Sequence, residues 1–550
     1  MRRISLIAVC LALQLASAAA PEQAWAATGK TEAPLSANAD AQKAYELGEA
    51  AYDKDEFDAA TAHYSQAIQK DPSFAEAWFS RGWSHRDAGK HDKALADFSE
   101  AIRLRPAYAA AFRGRGWSHV GKKDYKAAIA DFTQAVSLDP KDPRNIYGRG
   151  YARVDAGEAD AALKDFNETL KIDPKFADAL FERAWILKDH LKQPEKALSD
   201  FNSAIAIDAT VADYFHGRAQ VYDDQGKWEQ AATDYTQAIR LAPKGNNAYI
   251  GRGWDYIELK KFPEALNDFS KAIELDPEIS RAYFGRGYAH DELGSLDAAI
   301  VDFSYAIKLQ PDDRMSFRMR GISHWKKKDL ARADADLTEA IRLDPSDPHA
   351  LFNRGSVRAE LGRHDDAIRD LSEAVRLKPD YHEVFNDRAV SYAETERHEE
   401  ALKDYSEAIR LAPKSHLYFR NRGESLALLG RFEEGLKDLN FVLQAYPQDA
   451  HALLWRGVCH YGVNRNESAM ADMSASIVLD PKSWRAFNAR GRLRADTGDW
   501  LAAITDYTDA IRLAPDQALI YQNRAKAYAS LGEFEKAKED EAKAKTLKAD

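Results

Sequence analysis

Residues 75–106, AEAWFSRGWSHRDAGKHDKALADFSEAIRLRP, contain the pattern that decides the fold of this 550-residue chain. Trp78, Gly82 and His85 recur at helical spacing and predict one face of a first helix. Gly89 then interrupts the pattern, as glycine does where a helix ends in a turn.

The second half of this stretch predicts a second helix. Ala94, Phe98, Ala101 and Ile102 fall on one helical face. Pro106 ends the helix because its ring cannot continue the backbone hydrogen-bond ladder. The small alanine side chains allow the two helices to approach closely, so the stretch predicts a helical hairpin.

The same hairpin recurs along the chain with a period of 34 residues. Its closing proline is found at Pro72, Pro106, Pro140, Pro174, Pro243, Pro277, Pro311, Pro345, Pro379, Pro413, Pro447, Pro481 and Pro515. Between Pro174 and Pro243, Ala209 replaces one proline and one extra residue is predicted in a turn at 190–193. Residues 39–549 therefore hold about fifteen units, which leaves no room for another domain.

The last unit has a polar outer face. Glu541 and Lys545 stand in the columns that hold Phe98 and Ile102 in an earlier unit. A charged terminal face is what an array of stacked repeats needs to remain soluble, so this unit is predicted to close the array.

The chain resembles the tetratricopeptide-repeat (TPR) proteins from about residue 39 to its C-terminus. The 34-residue period, the glycine–aromatic pair of the first helix, the Ala-Phe-Ala pattern of the second and the closing proline match that family. The resemblance implies an all-α fold, a right-handed superhelical solenoid of about fifteen helical hairpins. It also implies a concave groove, lined by the first helices, that binds peptides or proteins.

The composition is that of a folded acidic protein. Hydrophobic residues make up 45% of the chain, which excludes an intrinsically disordered protein. The 88 acidic and 77 basic residues give a formal net charge of −11, which disfavours nucleic acid or an anionic membrane as the main partner. Length alone would predict about three or four globular domains, and the repeats replace that expectation with one array.

The N-terminus has the organisation of a secretory signal peptide. Arg2 and Arg3 are followed by an apolar run at 4–15, and small residues at 16–18 and 24–26 offer cleavage sites. The apolar run is shorter than a transmembrane helix, although an uncleaved N-terminal anchor is an alternative.

The predicted organisation is a signal peptide at 1–26, a short linker at 27–38 and the repeats. Cleavage near Ala26 predicts an exported protein, most simply periplasmic and otherwise secreted. It removes Cys10 and leaves Cys459 as the single thiol, which is predicted to be a small buried residue. It also changes the formal net charge from −11 to −12.

A charged ladder runs through every unit except the first. One column holds Arg81, Arg115, Arg149, Arg183, Arg218, Arg252, Arg286, Arg320, Arg354, Arg388, Arg422, Arg456, Arg490 and Arg524. A second column, sixteen or once seventeen residues later, holds Asp97, Asp131, Asp165, Asp200, Asp234, Asp268, Asp302, Asp336, Asp370, Asp404, Asp438, Asp472, Asp506 and Asp540. The first unit lacks both, with Leu47 and His63 in their places. Because the two charges appear and disappear together, they are predicted to pair.

The ends of the chain favour pairing inside each unit. Pairing with the preceding unit would set Arg81 against His63 and leave Asp540 without a partner. Planar guanidinium suits a partly buried carboxylate. The ladder is interpreted as structural, and an anion-binding ladder is the less favoured alternative.

Two columns of the first helices are predicted to face the groove, because they lie roughly 100–140° from the core face of the helix. Two residues after the ladder arginine stand Trp83, Trp117, Tyr151, Trp185, Gln220, Trp254 and Tyr288. Two residues before it stand Phe79, Arg113, Tyr147, Phe181, His216, Ile250 and Phe284. In later units these columns become more polar, so the groove is predicted to change from aromatic to polar.

Two interpretations of the aromatic half remain open. The rings pack between neighbouring first helices, or they form a stacking surface for a peptide or an envelope glycan. The glycines next to these columns would expose backbone at the groove and favour binding; they are Gly114, Gly148, Gly217, Gly251 and Gly285. Under the binding interpretation, replacing Trp117 and Trp185 by alanine abolishes partner capture without unfolding the array.

The polar half offers asparagines at Asn353, Asn386, Asn421, Asn488 and Asn523. Their amides suit a peptide backbone, and a solvated polar groove is the alternative. The Lys-Asn-Asn-Lys-Arg set with which chaperone-binding relatives hold a terminal carboxylate is not found, so a chaperone C-terminus is not the expected ligand.

No catalytic or metal-binding motif stands out. The histidines of one core column are a repeat apart and are predicted to be buried and hydrogen-bonded; they are His85, His119, His290, His324 and His460. No Gly-rich phosphate loop, Ser/His/Asp set or Cys–His cluster is present in the sequence. We therefore expect no cofactor and no enzymatic activity.

The sequence thus predicts a scaffold whose function is to bind an extended peptide or a partner protein in the groove. Binding of a cell-envelope glycan through the aromatic half is the alternative. We expect a monomer that does not bind nucleic acid and that contacts a membrane only through its signal peptide.

Overall fold

The computed structural model describes residues 36–549. The predicted signal peptide and most of the predicted linker lie outside these residues. Within them, the chain forms thirty α-helices, one π-helical turn and no strands. This confirms the all-α fold predicted from the repeats.

The helices alternate between a first and a second helix of fifteen hairpins. The first helices are α1 Ala39–Tyr52, α3 Ala75–Asp87, α5 Ala109–Gly121, α7 Pro143–Asp155, α9 Ala177–Trp185, α11 Ala212–Asp224, α13 Asn246–Glu258, α15 Ser280–Glu292, α17 Arg314–Lys326, α19 Pro348–Glu360, α21 His382–Glu394, α23 His416–Leu428, α25 Ala450–Gly462, α27 Trp484–Asp496 and α29 Ala518–Ser530. The second helices are α2 Phe57–Lys70, α4 His91–Leu104, α6 Tyr125–Leu138, α8 Ala159–Ile172, α10 Pro194–Ile207, α12 Trp228–Leu241, α14 Phe262–Leu275, α16 Leu296–Leu309, α18 Leu330–Leu343, α20 His364–Leu377, α22 His398–Leu411, α24 Phe432–Ala445, α26 Asn466–Leu479, α28 Trp500–Leu513 and α30 Phe534–Ala549.

The chain divides into two compact units, which we call unit 1, ending at Gly285, and unit 2, beginning at Arg286. Within each unit, a first helix packs against the second helix of its own repeat and that second helix packs against the next first helix. First helices of successive repeats also touch, as α3, α5 and α7 do in unit 1. In each unit the first helices therefore lie side by side.

A fully buried aromatic ring fills the centre of each hairpin in much of unit 1. Phe98 is buried on α4, between a glycine of its own repeat and a glycine of the next. A Cβ atom added to Gly82 would lie 2.8 Å from the Phe98 ring, and one added to Gly114 would lie 2.5 Å from it. Both distances are far below a van der Waals contact, so the ring occupies the space that the two missing side chains leave.

The ladder pairs lie inside each repeat, as predicted. All fourteen arginines donate from Nε and Nη2 to the two carboxylate oxygens of their own aspartate, and in the Arg81–Asp97 pair these distances are 3.0 and 2.7 Å. The aspartates are between 1% and 8% exposed. Two charge-assisted bonds per pair therefore join the first helix to the second where little water reaches.

The third guanidinium nitrogen makes a contact that the sequence analysis missed. In twelve repeats Nη1 donates to a serine, threonine or asparagine on the second helix of the preceding repeat. Arg81 reaches Ser65 at 3.0 Å, and Arg252 reaches Thr236 at 2.9 Å. The signal was a column of small polar residues directly after the Phe98 column. Each of these arginines thus joins two repeats as well as two helices.

The turn inside each hairpin needs one residue in the left-handed region. In alternate repeats this residue is glycine, such as Gly226 at φ 68° and Gly294 at φ 75°. In the repeats between them it carries a side chain, such as Lys260 at φ 58°. A Cβ atom is strained in this conformation, so every second turn of the array holds a cost that glycine would avoid.

The extra residue of the fifth repeat is accommodated earlier than predicted. It was expected in a turn at 190–193, but the chain forms a π-helical turn at Ile186–His190 directly after α9. Leu191 N–H donates to the Ile186 carbonyl at 3.0 Å, which is the five-residue spacing of a π-helix. Widening one helical turn absorbs the insertion and leaves the ladder pair of this repeat intact.

Three smaller predictions concern single positions. Glu541 and Lys545 are exposed on α30, so the final helix presents charge as expected. Cys459 is buried against Gly435, and burial raises the pKa of its thiol to about 12. Among the described helices, none is both long and apolar enough to cross a bilayer.

We predict that Asp370→Ala destabilises the repeats around α20 by about 3 kcal/mol, because it leaves the buried guanidinium groups of Arg354 and Arg358 without their carboxylate. The matched control is Asp365→Ala, an exposed position on the same helix, which should change stability by well under 1 kcal/mol. Hydrogen exchange of α19 and α20 measures both values. Equal effects would show that the ladder does not hold the repeats together.

We predict that Lys260→Gly stabilises its repeat by about 1 kcal/mol, because glycine adopts the left-handed turn without strain. Lys260→Ala removes the same charge and keeps the strained Cβ atom, so it should bring no gain. The midpoint of urea unfolding compares the two variants. A gain in the alanine variant would attribute the effect to charge instead.

Candidate functional site

The candidate site is the side of the first helices that carries the two predicted groove columns. We call this surface the first-helix face and describe it separately in unit 1 and unit 2. Neighbouring first helices touch in each unit, for example α11 and α13 in unit 1 and α27 and α29 in unit 2. The face therefore presents side chains from consecutive repeats next to one another.

The predicted aromatic stacking surface is wrong for five of its members, which are buried; they are Trp83, Trp117, Tyr147, Phe284 and Tyr288. Trp117 is 7% exposed, and its ring centroid lies 5.3 Å from those of Phe132 and Tyr151. These rings pack between neighbouring helices because the glycine-rich first helices leave space for them. Phe79, Tyr151, Phe181, Trp185 and Trp254 are half-buried and keep part of their surface at the face.

The glycines of the face do not act as predicted. They were expected to expose backbone to a ligand, but Cβ atoms built on them meet an aromatic ring of the preceding repeat. Such an atom on Gly148 would lie 2.4 Å from the Phe132 ring, and one on Gly251 would lie 2.4 Å from the Tyr235 ring. The glycines admit these rings and serve packing between repeats.

Arg113 is also withdrawn from the face. It is 5% exposed and donates from Nη1 to Asp142 at 2.7 Å and to Asn145 at 2.9 Å. An arginine that is buried and paired in this way fixes the junction between α5 and α7. Its predicted role in ligand contact is therefore wrong.

The asparagines of unit 2 bind one another across successive repeats. Asn421 Nδ2 donates to Asn386 Oδ1 at 3.1 Å, and Asn523 Nδ2 donates to Asn488 Oδ1 at 3.0 Å. Asn386 is 6% exposed, so its acceptor is taken and hidden. The prediction that Asn386 offers its amide to a peptide is wrong, whereas Asn353 and Asn421 are half-buried at the face.

The histidine column lies over the ladder aspartates without bonding them. His85 Nε2 is 3.7 Å from Asp97 Oδ2, and the corresponding distances in the other four repeats are 3.8 to 3.9 Å. These distances exceed a hydrogen bond, so the prediction of hydrogen-bonded histidines is wrong. Burial lowers the pKa of His85, although the charge of Asp97 opposes this. Among the described residues, no three His, Cys, Asp or Glu side chains are placed to hold a metal ion.

Unit 1 carries carboxylates on the first-helix face that the sequence analysis missed. We call Asp155, Asp178, Glu182 and Asp213, on α7, α9 and α11, the acidic patch. Tyr214 donates its hydroxyl to Asp178 at 2.7 Å. Burial raises the pKa of all four carboxyls, and that of Glu182 rises to about 8 because Asp178 and Asp155 add their negative charges.

The patch escaped sequence analysis because only two columns were assigned to the face. Asp178 and Asp213 lie five residues before the ladder arginine, and Glu182 lies one residue before it. The available signal was a run of unmatched acids over two consecutive repeats.

Family models of the tetratricopeptide repeat match most of this chain. One model matches residues 45–108, 81–143, 147–212, 250–314, 318–382, 361–416, 386–440 and 420–483. Related repeat models match 212–244, 491–532 and 518–550. The matched segments together span more than half of the sequence.

Solved structures with some similarity are also repeat proteins. YrrB, described as a TPR protein with an unusual peptide-binding site, is 26% identical over 34% of this chain and 95% of its own, with a TM-score of 0.30. The Cut9–Hcn1 hetero-tetramer of the APC/C is 14% identical over 88% and 96%, with a TM-score of 0.39. A tetratricopeptide repeat protein from Parabacteroides merdae is 21% identical over 45% and 98%, with a TM-score of 0.37. No curated protein matches the sequence significantly.

We predict that Trp117→Ala lowers the free energy of unfolding of the surrounding repeats by about 3 kcal/mol, because it opens a cavity beside Phe132 and Tyr151. Trp185→Ala, at a half-buried ring of the same column, should cost less. Urea unfolding followed by circular dichroism compares the two. An undiminished stability of the Trp117 variant would restore the interpretation of this ring as a ligand contact.

Proposed function

This chain belongs to the tetratricopeptide-repeat family, and on that premise we propose that it is a non-catalytic scaffold. Its ligand is an extended peptide, or an extended segment of a partner protein, bound along the first-helix face. The half-buried rings and the acidic and amide side chains of that face supply the contacts.

The contrast between constant and variable columns carries this proposal. The ladder arginine and aspartate are identical in fourteen repeats, because each pair holds helices together. The column two residues after the arginine instead changes along the chain, with Trp185, Gln220 and Ser356 as examples. Packing does not require one side chain there, so each repeat offers a different contact. A linear ligand that crosses several repeats would gain affinity and specificity from their sum.

Peptide is favoured over glycan as the ligand. Glycan stacking needs exposed ring faces, and Trp83, Trp117 and Tyr147 are buried. Amides and carboxylates at the face, such as Asn421 and Glu182, suit the backbone and the charged side chains of a peptide.

Export to the periplasm is part of the proposal, supported by the basic start and apolar run of residues 1–26. We expect the protein recovered from cell fractionation to lie in the periplasmic fraction and to begin close to residue 27. N-terminal sequencing checks both points. A chain that begins at Met1 and stays with the inner membrane would instead indicate an N-terminal anchor.

We predict that a photo-crosslinking amino acid at Gln220, on the face of α11, captures partner segments from an envelope extract. The matched position is Gln230, exposed on the second helix α12 of the same repeat, where capture should be absent. Mass spectrometry of the adducts measures both. Equal capture at the two positions would contradict binding along the first-helix face.

A further inference from the structure

We propose that the acidic patch of unit 1 binds lysine or arginine side chains, so that the segment bound there is cationic. This inference rests on the proposed function and names the chemistry of the partner. The carboxylates involved are Asp155, Asp178, Glu182 and Asp213, and the elements that place them are α7, α9 and α11.

The first argument is an imbalance of charge. On the face of α9 and α11, six carboxylates are close to a single basic side chain, Lys188; they are Asp178, Glu182, Asp189, Asp213, Asp223 and Asp224. Lys188 Nζ already lies 2.8 Å from Asp189 and 3.1 Å from Asp224. The described residues therefore supply no cation to the acidic patch, and a cationic ligand would complement it.

The second argument is the isolation of Glu182. Its carboxyl group is drawn into the protein, and none of the described residues donates a hydrogen bond to it. Acids on the same face elsewhere are satisfied: Asp387 accepts from Ser356 at 2.7 Å, and Asp291 accepts from Ser323 at 2.8 Å. A half-buried carboxyl group without a donor is costly for the free protein, and an ammonium or guanidinium group would relieve this cost.

The third argument is the aromatic surrounding. Phe181 and Trp185, half-buried on the same helix α9, lie edge to face with ring centroids 6.1 Å apart. Lysine and arginine stems pack on such rings while their charged ends reach a carboxylate. Lys188 already follows this chemistry inside the protein, with Nζ 5.4 Å from the centre of the Trp185 ring.

An organic cation fits the patch better than a metal ion. A metal needs several ligand atoms at short and equal distances, and within the described residues no three acidic, histidine or cysteine side chains offer such a group. The carboxylates are instead distributed over three helices of successive repeats. That spacing suits the side chains of an extended peptide.

The proposal couples binding to pH. Burial raises the pKa of Glu182 to about 8, with further contributions from Asp178 on its own helix and Asp155 on α7. Tyr147 on α7 and Tyr214 on α11 are the neutral titratable groups beside these carboxyls. A bound cation would favour the ionised form, so binding releases a proton and affinity rises with pH below this pKa.

A random nine-residue peptide library, selected on the chain without residues 1–26 and on its Glu182→Gln variant, tests the proposal. Peptides selected on the parent should contain at least three times as much lysine and arginine as those selected on the variant. The affinity of a selected peptide should rise about tenfold from pH 6 to pH 8 for the parent and stay constant for the variant. Glu467→Gln, at an exposed acid of α26 in unit 2, is the matched control and should behave as the parent.

The outcomes separate this inference from the proposed function. If peptides are selected but have the same lysine and arginine content on both proteins, the acidic patch does not choose cations, while peptide binding stands. If no peptide is selected on the parent, the proposed function and this inference both fail. Because glutamine has nearly the shape of glutamate, the variant should fold, and circular dichroism with an unchanged melting temperature verifies this.

Discussion

The rest of the structure depends on the fork of the ladder arginine. Two nitrogens of each guanidinium group bind a buried carboxylate in the same repeat, and in most repeats the third binds a hydroxyl or amide group of the repeat before it. Lysine could neutralise the aspartate, but its single ammonium could not present three donors in one plane. The same side chain thereby closes the hairpin and joins it to its neighbour. Stability in such an array is the sum of repeat and interface contributions, and this residue contributes to both.

Because the ladder and the buried rings hold the repeats together, the first-helix face is released from that task. In unit 1 the glycines admit the ring of the preceding repeat, which brings the first helices close and buries tryptophans such as Trp117. What remains at the surface is a mixture of half-buried rings, amides and acids that differs between repeats. The acidic patch is the strongest local departure from neutrality in that mixture, since its carboxyls have raised pKa values and Glu182 has no donor among the described residues.

Features that recur at a fixed period could be predicted from the sequence, and features that depend on depth could not. The hairpins, the closing proline and the Arg–Asp register were all evident, because one misplaced partner would leave a charge alone at an end of the array. Helical spacing gives the direction of a side chain but not how far the neighbouring helix stands from it. Trp117 and Arg113 were therefore assigned to an open groove although close helices bury them. The left-handed lysines were missed for a similar reason, since nothing in Lys260 itself announces a turn that Gly226 and Gly294 make recognisable.

The most direct test of this account is a double-mutant cycle between Arg252 and Thr236, which are joined at 2.9 Å across two repeats. Arg252→Lys keeps the charge opposite Asp268, and Thr236→Val keeps the shape of the threonine. Free energies from hydrogen exchange of α12 to α14 give the coupling between the two changes. The account predicts a coupling of about 1 kcal/mol, because the bond that joins the repeats is lost only once. Strictly additive effects would contradict it and would mean that the arginine holds its own hairpin alone.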